Sequence, residues 1–263
     1  MTGVVVGMSR AADTTAAVCW ASAEAALRGL PLRLVHAWDT PLNLSIDLSP
    51  DCLPGLGCEA TAHAVHGPAP SVLLAEACDL LVLGGHTGAR RLSHLTRSCL
   101  RHAACPVVIV PDVGRPPTGC VLVGVNGSET SRDALRWAAD EARRRLDRLV
   151  VLYAWQVHPN RARDVLRPAR AVSAQRGAAH DRLHGWVQSV LGTVDAELIA
   201  THGGPLDALL HASAEADLLV LGHRTRSGVA RLLGGAVASD LTGLAPCPVA
   251  LIPRQPASAN VSR

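Results

Sequence analysis

Short apolar runs alternate along the chain with longer segments in which apolar residues recur every three or four positions. Runs of the first kind are typical of buried β-strands, and segments of the second kind are typical of helices that bury one face. In the second half of the chain, Ser128 offers a side-chain cap where a strand-like run gives way to a helical segment. The pattern there predicts strands at 121–125, 149–155, 196–200, 218–221 and 249–252, and helices after Ser128, at 171–190, at 206–214 and around 235–244.

The first half follows the same order with fewer residues. Near-continuous apolar strands separated by helices indicate a parallel sheet that helices cover on both faces, with right-handed crossovers. The predicted fold class is therefore α/β, with two tandem doubly wound domains. In the first half the predicted strands are 4–7, 32–38, 61–66, 80–83 and 107–110.

The two halves align as copies of one module. At an offset of 117 residues, the strand at 4–7 aligns with 121–124, Trp20 with Trp137 and Glu24 with Glu141. Self-similarity over such a length is the signature of an internal repeat. A single continuous sheet through both halves, or unrelated topologies in them, would contradict this duplication.

Changes in the offset show where the copies differ. The offset grows from 117 to 138 at the fourth strands and to 142 at Cys105 and Cys247, so the first copy is shorter by 21 residues and then by four. Pro and Gly residues at 40–58 predict an irregular loop where the second copy has a helix. Gly and Pro residues at 112–118 predict a linker between domains at 1–112 and 118–254, and the polar tail at 255–263 is expected to be disordered.

Composition narrows the function classes. A chain of 263 residues with 48% hydrophobic residues and a net charge of +3 fits a globular protein, without the charge that a nucleic-acid or membrane surface needs. The residues after Met1 do not have the pattern of a signal peptide, and the apolar runs are too short to span a membrane, so we expect a cytoplasmic protein without a membrane partner. Cys52, Cys58, His63 and His66 suit a soft cation, but their spacing matches no common zinc pattern, and we predict no metal site.

Five segments of the second half carry a resemblance to a known family. They are Val-Asn-Gly-Ser at 125–128, Ala-Leu-Arg-Trp-Ala at 134–138, Tyr-Ala-Trp at 153–155, Ala-Asp-Leu-Leu-Val-Leu-Gly at 216–222 and Ala-Pro-Cys-Pro-Val-Ala-Leu-Ile-Pro at 245–253. In combination they resemble the universal stress protein (UspA) family, and the resemblance covers essentially the whole chain. It implies a five-stranded parallel sheet of order 3-2-1-4-5 in each copy, of the adenine nucleotide alpha hydrolase-like type. It also implies dimerisation through the edge strand, by which the two copies can pair with each other or two chains can associate.

The resemblance further implies a candidate ATP site in the second copy. Family members that bind ATP have the pattern G-x2-G-x9-G-[ST] after the fourth strand and an Asp after the first, so that backbone N–H groups and a helix N-terminus meet the phosphates. Here the spacing is kept, but Thr225 replaces the second Gly, Ala236 replaces the hydroxyl residue and Asn126 replaces the Asp. The candidate binding residues are Asn126, Gly127, Ala154, Leu221, Gly222, Arg224, Thr225, Gly235, Ala236, Val237 and Ala238.

These departures predict weak binding at most. Loss of one charge-assisted hydrogen bond costs about 1.5–3 kcal/mol, or about ten- to a hundred-fold in affinity. Arg224 can meet a phosphate or remain a solvated loop charge, and the sequence leaves both open. In the first copy the loop after Gly84 is four residues shorter, and Ser9 and Arg10 occupy the position of the Asp and the next one. We therefore predict that the first copy does not bind ATP and acts as a partner domain.

The sequence favours a non-enzymatic role. It contains no GxSxG, HExxH or GxxxxGK[ST] motif, and His86 and His223 in the candidate loops are expected to hydrogen-bond or face water. Two functions stay open, both with a protein client: an ATP-sensing stress regulator, and a nucleotide-independent interaction or scaffold protein. The repeat-related residues Trp20, Trp38, Trp137 and Trp155 are predicted to pack in the core.

Overall fold

A computed structural model describes residues 3–8, 13–39, 58–76, 78–85, 92–112, 114–156, 168–223 and 236–254. The irregular loop predicted at 40–58 lies outside these ranges except for its last residue, and the predicted tail at 255–263 lies wholly outside them. None of the described helices is long and apolar enough to span a membrane.

The N-terminal half contains the five predicted strands, and described helices follow the first, third and fourth of them. Ser93 caps its third helix, because the Ser93 hydroxyl oxygen accepts a hydrogen bond from the Thr96 N–H at 3.1 Å. The elements are β1 (Val4–Met8), α1 (Asp13–Arg28), β2 (Leu32–Trp38), β3 (Ala60–His66), α2 (Ala69–Ala75), β4 (Leu80–Gly85), α3 (His94–His102) and β5 (Val107–Pro111).

The C-terminal half confirms each predicted strand and helix to within a few residues. Its first helix begins after Ser128, whose hydroxyl oxygen accepts from the Ser131 N–H at 3.2 Å. Leu146 caps the C-terminal end of this helix in a left-handed conformation with φ of 59°. The elements are β6 (Cys120–Val125), α4 (Glu129–Arg145), β7 (Arg148–Trp155), α5 (Pro168–Leu191), β8 (Glu197–His202), α6 (Pro205–Ser213), β9 (Leu218–His223), α7 (Ala236–Leu244) and β10 (Val249–Pro253).

Both halves have the strand order 3-2-1-4-5, with parallel neighbours throughout. In the C-terminal half, β6 pairs with β7 on one side and β9 on the other, which is the arrangement of β1 between β2 and β4. The predicted fold class is confirmed.

The two sheets join at their edge strands. β5 and β10 pair antiparallel, with Ile109 opposite Val249 and Val107 opposite Leu251, and the result is one ten-stranded sheet. The expectation that a continuous sheet would contradict the duplication was therefore wrong. Two complete 3-2-1-4-5 sheets become continuous because their fifth strands pair with each other.

Helices cover the joined sheet on both faces. One buried cluster contains Val4 and Val121 with residues of α1, α4 and α5, and the other contains Val5 and Leu122 with residues of α2, α3, α6 and α7. Gly7 and Gly124 are equivalent in the repeat, and a Cβ at either position would lie 2.8–2.9 Å from a leucine side chain of the second cluster. The repeat thus extends to side-chain packing.

A buried ion-pair cluster links α1 to α4 across the two halves. Glu24 and Glu141 are both fully buried, and Arg28 and Arg145 each pair with both of them. The guanidinium of Arg28 also lies 5.3 Å from the ring of Trp137, and that of Arg145 lies 5.4 Å from the ring of Trp20. Trp20 and Trp137 thus pack against the core, as predicted, and also face a cation from the other half.

The segment before β6 is anchored to the C-terminal half. The carboxylate of Asp217 accepts hydrogen bonds from the backbone N–H groups of Thr118 at 2.8 Å and Gly119 at 2.7 Å. Arg115 donates to the Ala214 carbonyl oxygen. These bonds hold the predicted linker on the surface of the half that follows it.

Candidate functional site

The carboxyl ends of β6 and β9 form a crevice in the C-terminal half. From β6 the chain enters α4, which packs on one face of the sheet, whereas α7, the helix that follows β9, packs on the other face. A point where neighbouring strands send their connections to opposite faces is where open α/β sheets bind ligands. The predicted ATP residues that the structure describes lie in β7, β9 and α7 and in the turn after β6.

Asn126 follows β6 and closes the turn into α4. Its side-chain oxygen accepts from the Ser128 N–H at 3.1 Å and from the Ser131 hydroxyl at 2.6 Å, and its own N–H donates to the Ser131 hydroxyl oxygen at 3.1 Å. Because a backbone N–H only donates, the side-chain atom that faces Ser128 must be the oxygen. The exposed side chain therefore offers its amide N–H groups, rather than an acceptor, to a ligand.

Two glycines shape the same turn. Gly127 has a φ of 79°, which a residue with a side chain rarely adopts, and a Cβ there would meet nothing within 4 Å. Gly222, at the end of β9, lies against the first turn of α4, and a Cβ on it would overlap the Thr130 carbonyl oxygen and lie 2.9 Å from the Thr130 Cβ. The packing of α4 thus requires Gly222 whether or not a phosphate approaches it.

Four predicted residues belong to the second apolar cluster or pack against it. Leu221 and Ala238 are buried, and Ala154 and Val237 pack partly buried against the same cluster. Ala236 is the first residue of α7. Arg224, Thr225 and Gly235, and with them the loop that would hold phosphate, lie outside the described residues.

A cleft lies next to Asn126, and only two of its lining residues were predicted from the sequence. It has a volume of about 270 Å³, and Asn126 and Gly127 at its mouth were predicted. Tyr153 is the one tyrosine of the chain, and Trp186 has no counterpart in the shorter first copy. Because aromatic residues are scarce in this chain, these two could have been singled out from the sequence as candidate ligand contacts. Flat rings beside a guanidinium suit a planar, electron-rich ligand. The lining residues are Val125, Asn126, Gly127, Tyr153, Arg182, Leu183 and Trp186.

His223 ends β9 immediately before the loop. Burial lowers its pKa against a weaker opposing effect of the Leu100 backbone, so the imidazole is neutral at pH 7. Neither ring nitrogen makes a hydrogen bond to another residue that the structure describes. Leu100 belongs to the N-terminal half, and it reaches His223 because the antiparallel join of β5 and β10 brings α3 to this side of the sheet.

The equivalent edge of the N-terminal half has different chemistry. His36 occupies the repeat position of Tyr153, and its Nδ1 lies 3.2 Å from the Met8 carbonyl oxygen. Ser9, Arg10 and His86 lie outside the described residues. The described part of this half therefore has a buried imidazole where the other half has an aromatic ring lining a cleft.

The cysteine and histidine residues noted in the sequence do not form a described cluster. Cys52 lies outside the described residues, and Cys58 lies 3.7 Å from the Ser22 hydroxyl oxygen. His66 packs edge-on against Trp38, at 4.6 Å between ring centroids. Within the described ranges, no three metal-binding side chains come together.

Comparisons with known protein sequences all find members of one family. A sequence model of the "Universal stress protein family" matches residues 119–253. The chain is 33% identical to the universal stress protein Rv2623 of Mycobacterium tuberculosis, with 94% of this chain and 95% of that protein covered. It is 28% identical to the universal stress protein Mb2028c of Mycobacterium bovis, with 96% and 97% covered.

Solved structures share the fold over almost the whole chain. A universal stress protein from Archaeoglobus fulgidus superposes with a TM-score of 0.70 at 14% identity, covering 96% of this chain and 98% of that chain. A functionally unknown protein from Pseudomonas aeruginosa superposes with a TM-score of 0.65 at 17% identity, covering 95% and 92%. At these identities the likeness concerns the fold.

Proposed function

Because the chain belongs to the universal stress protein family, we propose that it is a stress-response regulatory protein whose C-terminal domain binds ATP weakly. The proposed binding domain spans 118–254, and the domain at 1–112 serves as its partner. The observation that supports this best is the position of Asn126, whose exposed amide lies where the connections after β6 and β9 leave for opposite faces of the sheet.

The cleft beside Asn126 supplies a surface for a base. Tyr153 and Trp186 present partly buried aromatic rings, and Arg182 stands at its exposed side. A purine can stack on such rings, while the Asn126 amide donates to a ring nitrogen or a ribose oxygen. Asn126 itself offers no free acceptor to the ribose hydroxyls, since both acceptor bonds of its side-chain oxygen are used within the turn.

The N-terminus of α7 would bind the phosphates of ATP. A helix N-terminus combines unpaired N–H groups with positive potential, and α7 begins at Ala236 beside the crevice. Arg224 adds a guanidinium in the preceding loop, where it can pair with phosphate oxygens. The loss of the Asp and of the hydroxyl residue removes two favourable contacts, so the affinity is expected to be low.

Titration calorimetry on the full chain tests this proposal. ATP should bind in the submillimolar to millimolar range, and Ala236→Asp should abolish binding because it places a carboxylate where the phosphates would lie. An aspartate in the first turn of a helix stabilises the helix, so this variant should fold normally. His94→Asp, at the equivalent first position of α3, is the matched control and should leave binding unchanged.

A nucleotide-independent interaction protein is the second candidate. The structure favours it in one respect: Asn126 and Gly222 both have roles in holding α4, so their presence does not require a ligand. Absence of any binding heat at millimolar ATP would support this candidate and contradict the first.

The proposal also covers the localisation of the protein and its partners. We place the protein in the cytoplasm, with a regulatory rather than a catalytic role and a protein client rather than a nucleic acid. Association of two chains would use a surface other than β5 and β10, since those two strands already pair with each other.

A further inference from the structure

Two cysteines meet at the amino ends of neighbouring strands in the N-terminal half. Cys78 precedes β4, Cys105 precedes β5, and their sulfur atoms lie 2.8 Å apart. The strands are held in register there, because the Leu81 N–H donates to the Pro106 carbonyl oxygen at 3.0 Å. A disulfide has its sulfur atoms about 2.05 Å apart, so a small side-chain movement would suffice to form one.

We propose that Cys78 and Cys105 are a redox modification site that a hydroperoxide converts reversibly to a disulfide. Both thiols are partly exposed in the reduced chain. They line an open cleft of about 340 Å³ together with Leu73, Leu74, Leu81 and Ala103, which is room for a small peroxide to reach the sulfurs.

The two thiols have different roles in the reaction. A hydrogen bond from the Cys78 thiol lowers the pKa of Cys105 against the opposing effect of burial, whereas that hydrogen bond together with burial raises the pKa of Cys78. Cys105 is therefore the thiolate that attacks, and Cys78 is the thiol that resolves.

The reaction balances in two steps. The Cys105 thiolate attacks one oxygen of hydrogen peroxide, the O–O bond breaks, and the departing hydroxide takes up a proton, which leaves a sulfenic acid on Cys105. The Cys78 sulfur then attacks the Cys105 sulfur, an S–S bond forms, and the hydroxide that leaves carries off the Cys78 proton as water. Two thiols and one peroxide thus give one disulfide and two waters, with two electrons passing from sulfur to peroxide.

The repeat contains a natural comparison for this pair. Cys247 aligns with Cys105, but Ala216 aligns with Cys78, and the strands they precede have the same register, with the Leu219 N–H donating to the Pro248 carbonyl oxygen at 2.9 Å. Cys247 is buried, and burial raises its pKa to about 12. The C-terminal half thus has one cysteine at this position without a neighbour to resolve it.

Peptide mapping of the full chain tests the proposal. The reduced protein is treated with hydrogen peroxide, alkylated and digested. The expected result is a linked peptide pair containing Cys78 and Cys105, with two fewer alkylated thiols per chain, and dithiothreitol should restore both. Cys247→Ser should behave like the unsubstituted chain, and in Cys78→Ser a sulfenic acid on Cys105 should become available to dimedone.

A second variant keeps the test decisive if Cys78→Ser folds poorly. Ala216→Cys creates the equivalent pair with Cys247, and peroxide should then give a second linked peptide pair. The proposal is overturned if peroxide treatment of the unsubstituted chain gives no linked Cys78–Cys105 peptide and lowers the alkylation of Cys105 no more than that of Cys247.

Discussion

Arg28 donates a hydrogen bond to Glu141 at 2.5 Å, although the two residues belong to different halves of the chain. Arg145 donates to Glu24 in return, and the alignment of the copies exchanges the members of these two pairs. Equivalent surfaces of α1 and α4 thus contact each other as in a two-fold symmetric dimer, but within a single chain. Both carboxylates are fully buried, so the contact between the halves depends on complete charge pairing.

Replacement of Arg28 by Met should destabilise the protein strongly. It would leave two buried carboxylates with fewer cations, and breaking a buried pair from one side costs about 3–5 kcal/mol. Urea unfolding followed by circular dichroism measures the change. Arg143→Met is the matched control, since Arg143 and Asp140 form a pair that is more than half exposed, and its effect should be below about 1 kcal/mol.

The same cluster predicts a pH dependence of stability. Burial raises the pKa of Glu24 above 4.5, against the opposing effect of Arg145. The folded chain then holds the Glu24 proton to higher pH than the unfolded chain, so this group lowers the free energy of unfolding as pH rises from 4.5 through the folded pKa. Burial also acts to raise the pKa of Glu141, but Arg145 and Arg28 outweigh it, so the contribution of Glu141 is lost only as pH falls below 4.5.

Glu24→Gln should therefore flatten the decline of stability above pH 4.5. Urea unfolding at a series of pH values between 4.5 and neutrality measures the slope for the variant and for the unsubstituted chain. Glu129→Gln removes an exposed carboxylate from α4 and should leave the slope unchanged. Parallel curves for Glu24→Gln and the unsubstituted chain would show that Glu24 does not cause the decline.

The strands and the duplication could be predicted because they depend on local pattern. Strands buried on both faces are apolar runs, and Trp20 and Trp137 show the repeat directly. The contact of Arg28 with Glu141 could not be predicted, since it depends on how the two sheets join at β5 and β10. The alignment of Glu24 with Glu141 marked the right residues, but equivalence in a repeat does not show that they touch.

The candidate site could be predicted only in part for a similar reason. The family resemblance marked Asn126 and Gly222 as candidates, yet it did not show that the Asn126 oxygen is occupied by Ser128 and Ser131. The contribution of Trp186 depends on how α5 lies against β7, which the helical period alone does not determine.

Asn126→Asp should strengthen ATP binding about ten- to a hundred-fold. One carboxylate oxygen would keep the bonds from Ser128 and Ser131, and the other would give the ribose hydroxyls an acceptor that the Asn126 side chain does not offer. Titration calorimetry on the full chain measures the change. Ser9→Asp places the same residue in the first copy, where the loop is four residues shorter, and should give no gain.

Ala236→Ser should also strengthen binding, by restoring a hydroxyl donor at the start of α7. The gain should be of the same order as for one hydrogen bond to a charged group, about 1.5–3 kcal/mol. His94→Ser makes the matched change in α3 and should not create an ATP site. If Ala236→Ser binds no better than the unsubstituted chain, the phosphates do not lie at the N-terminus of α7.

Gly222→Ala should destabilise the protein even in the absence of nucleotide, because its Cβ would collide with the backbone of Thr130. Backbone cannot move aside as a flexible side chain can, so we expect a loss of about 1–3 kcal/mol, typical of a forced steric clash. Gly185→Ala is the control, since Gly185 is exposed in α5 with nothing within 4 Å of an added Cβ. Alanine there should stabilise the helix by about 0.5–1 kcal/mol. The midpoint of thermal unfolding should thus fall for Gly222→Ala and rise for Gly185→Ala, and an unchanged midpoint for Gly222→Ala would contradict the conclusion that the packing of α4 requires this glycine.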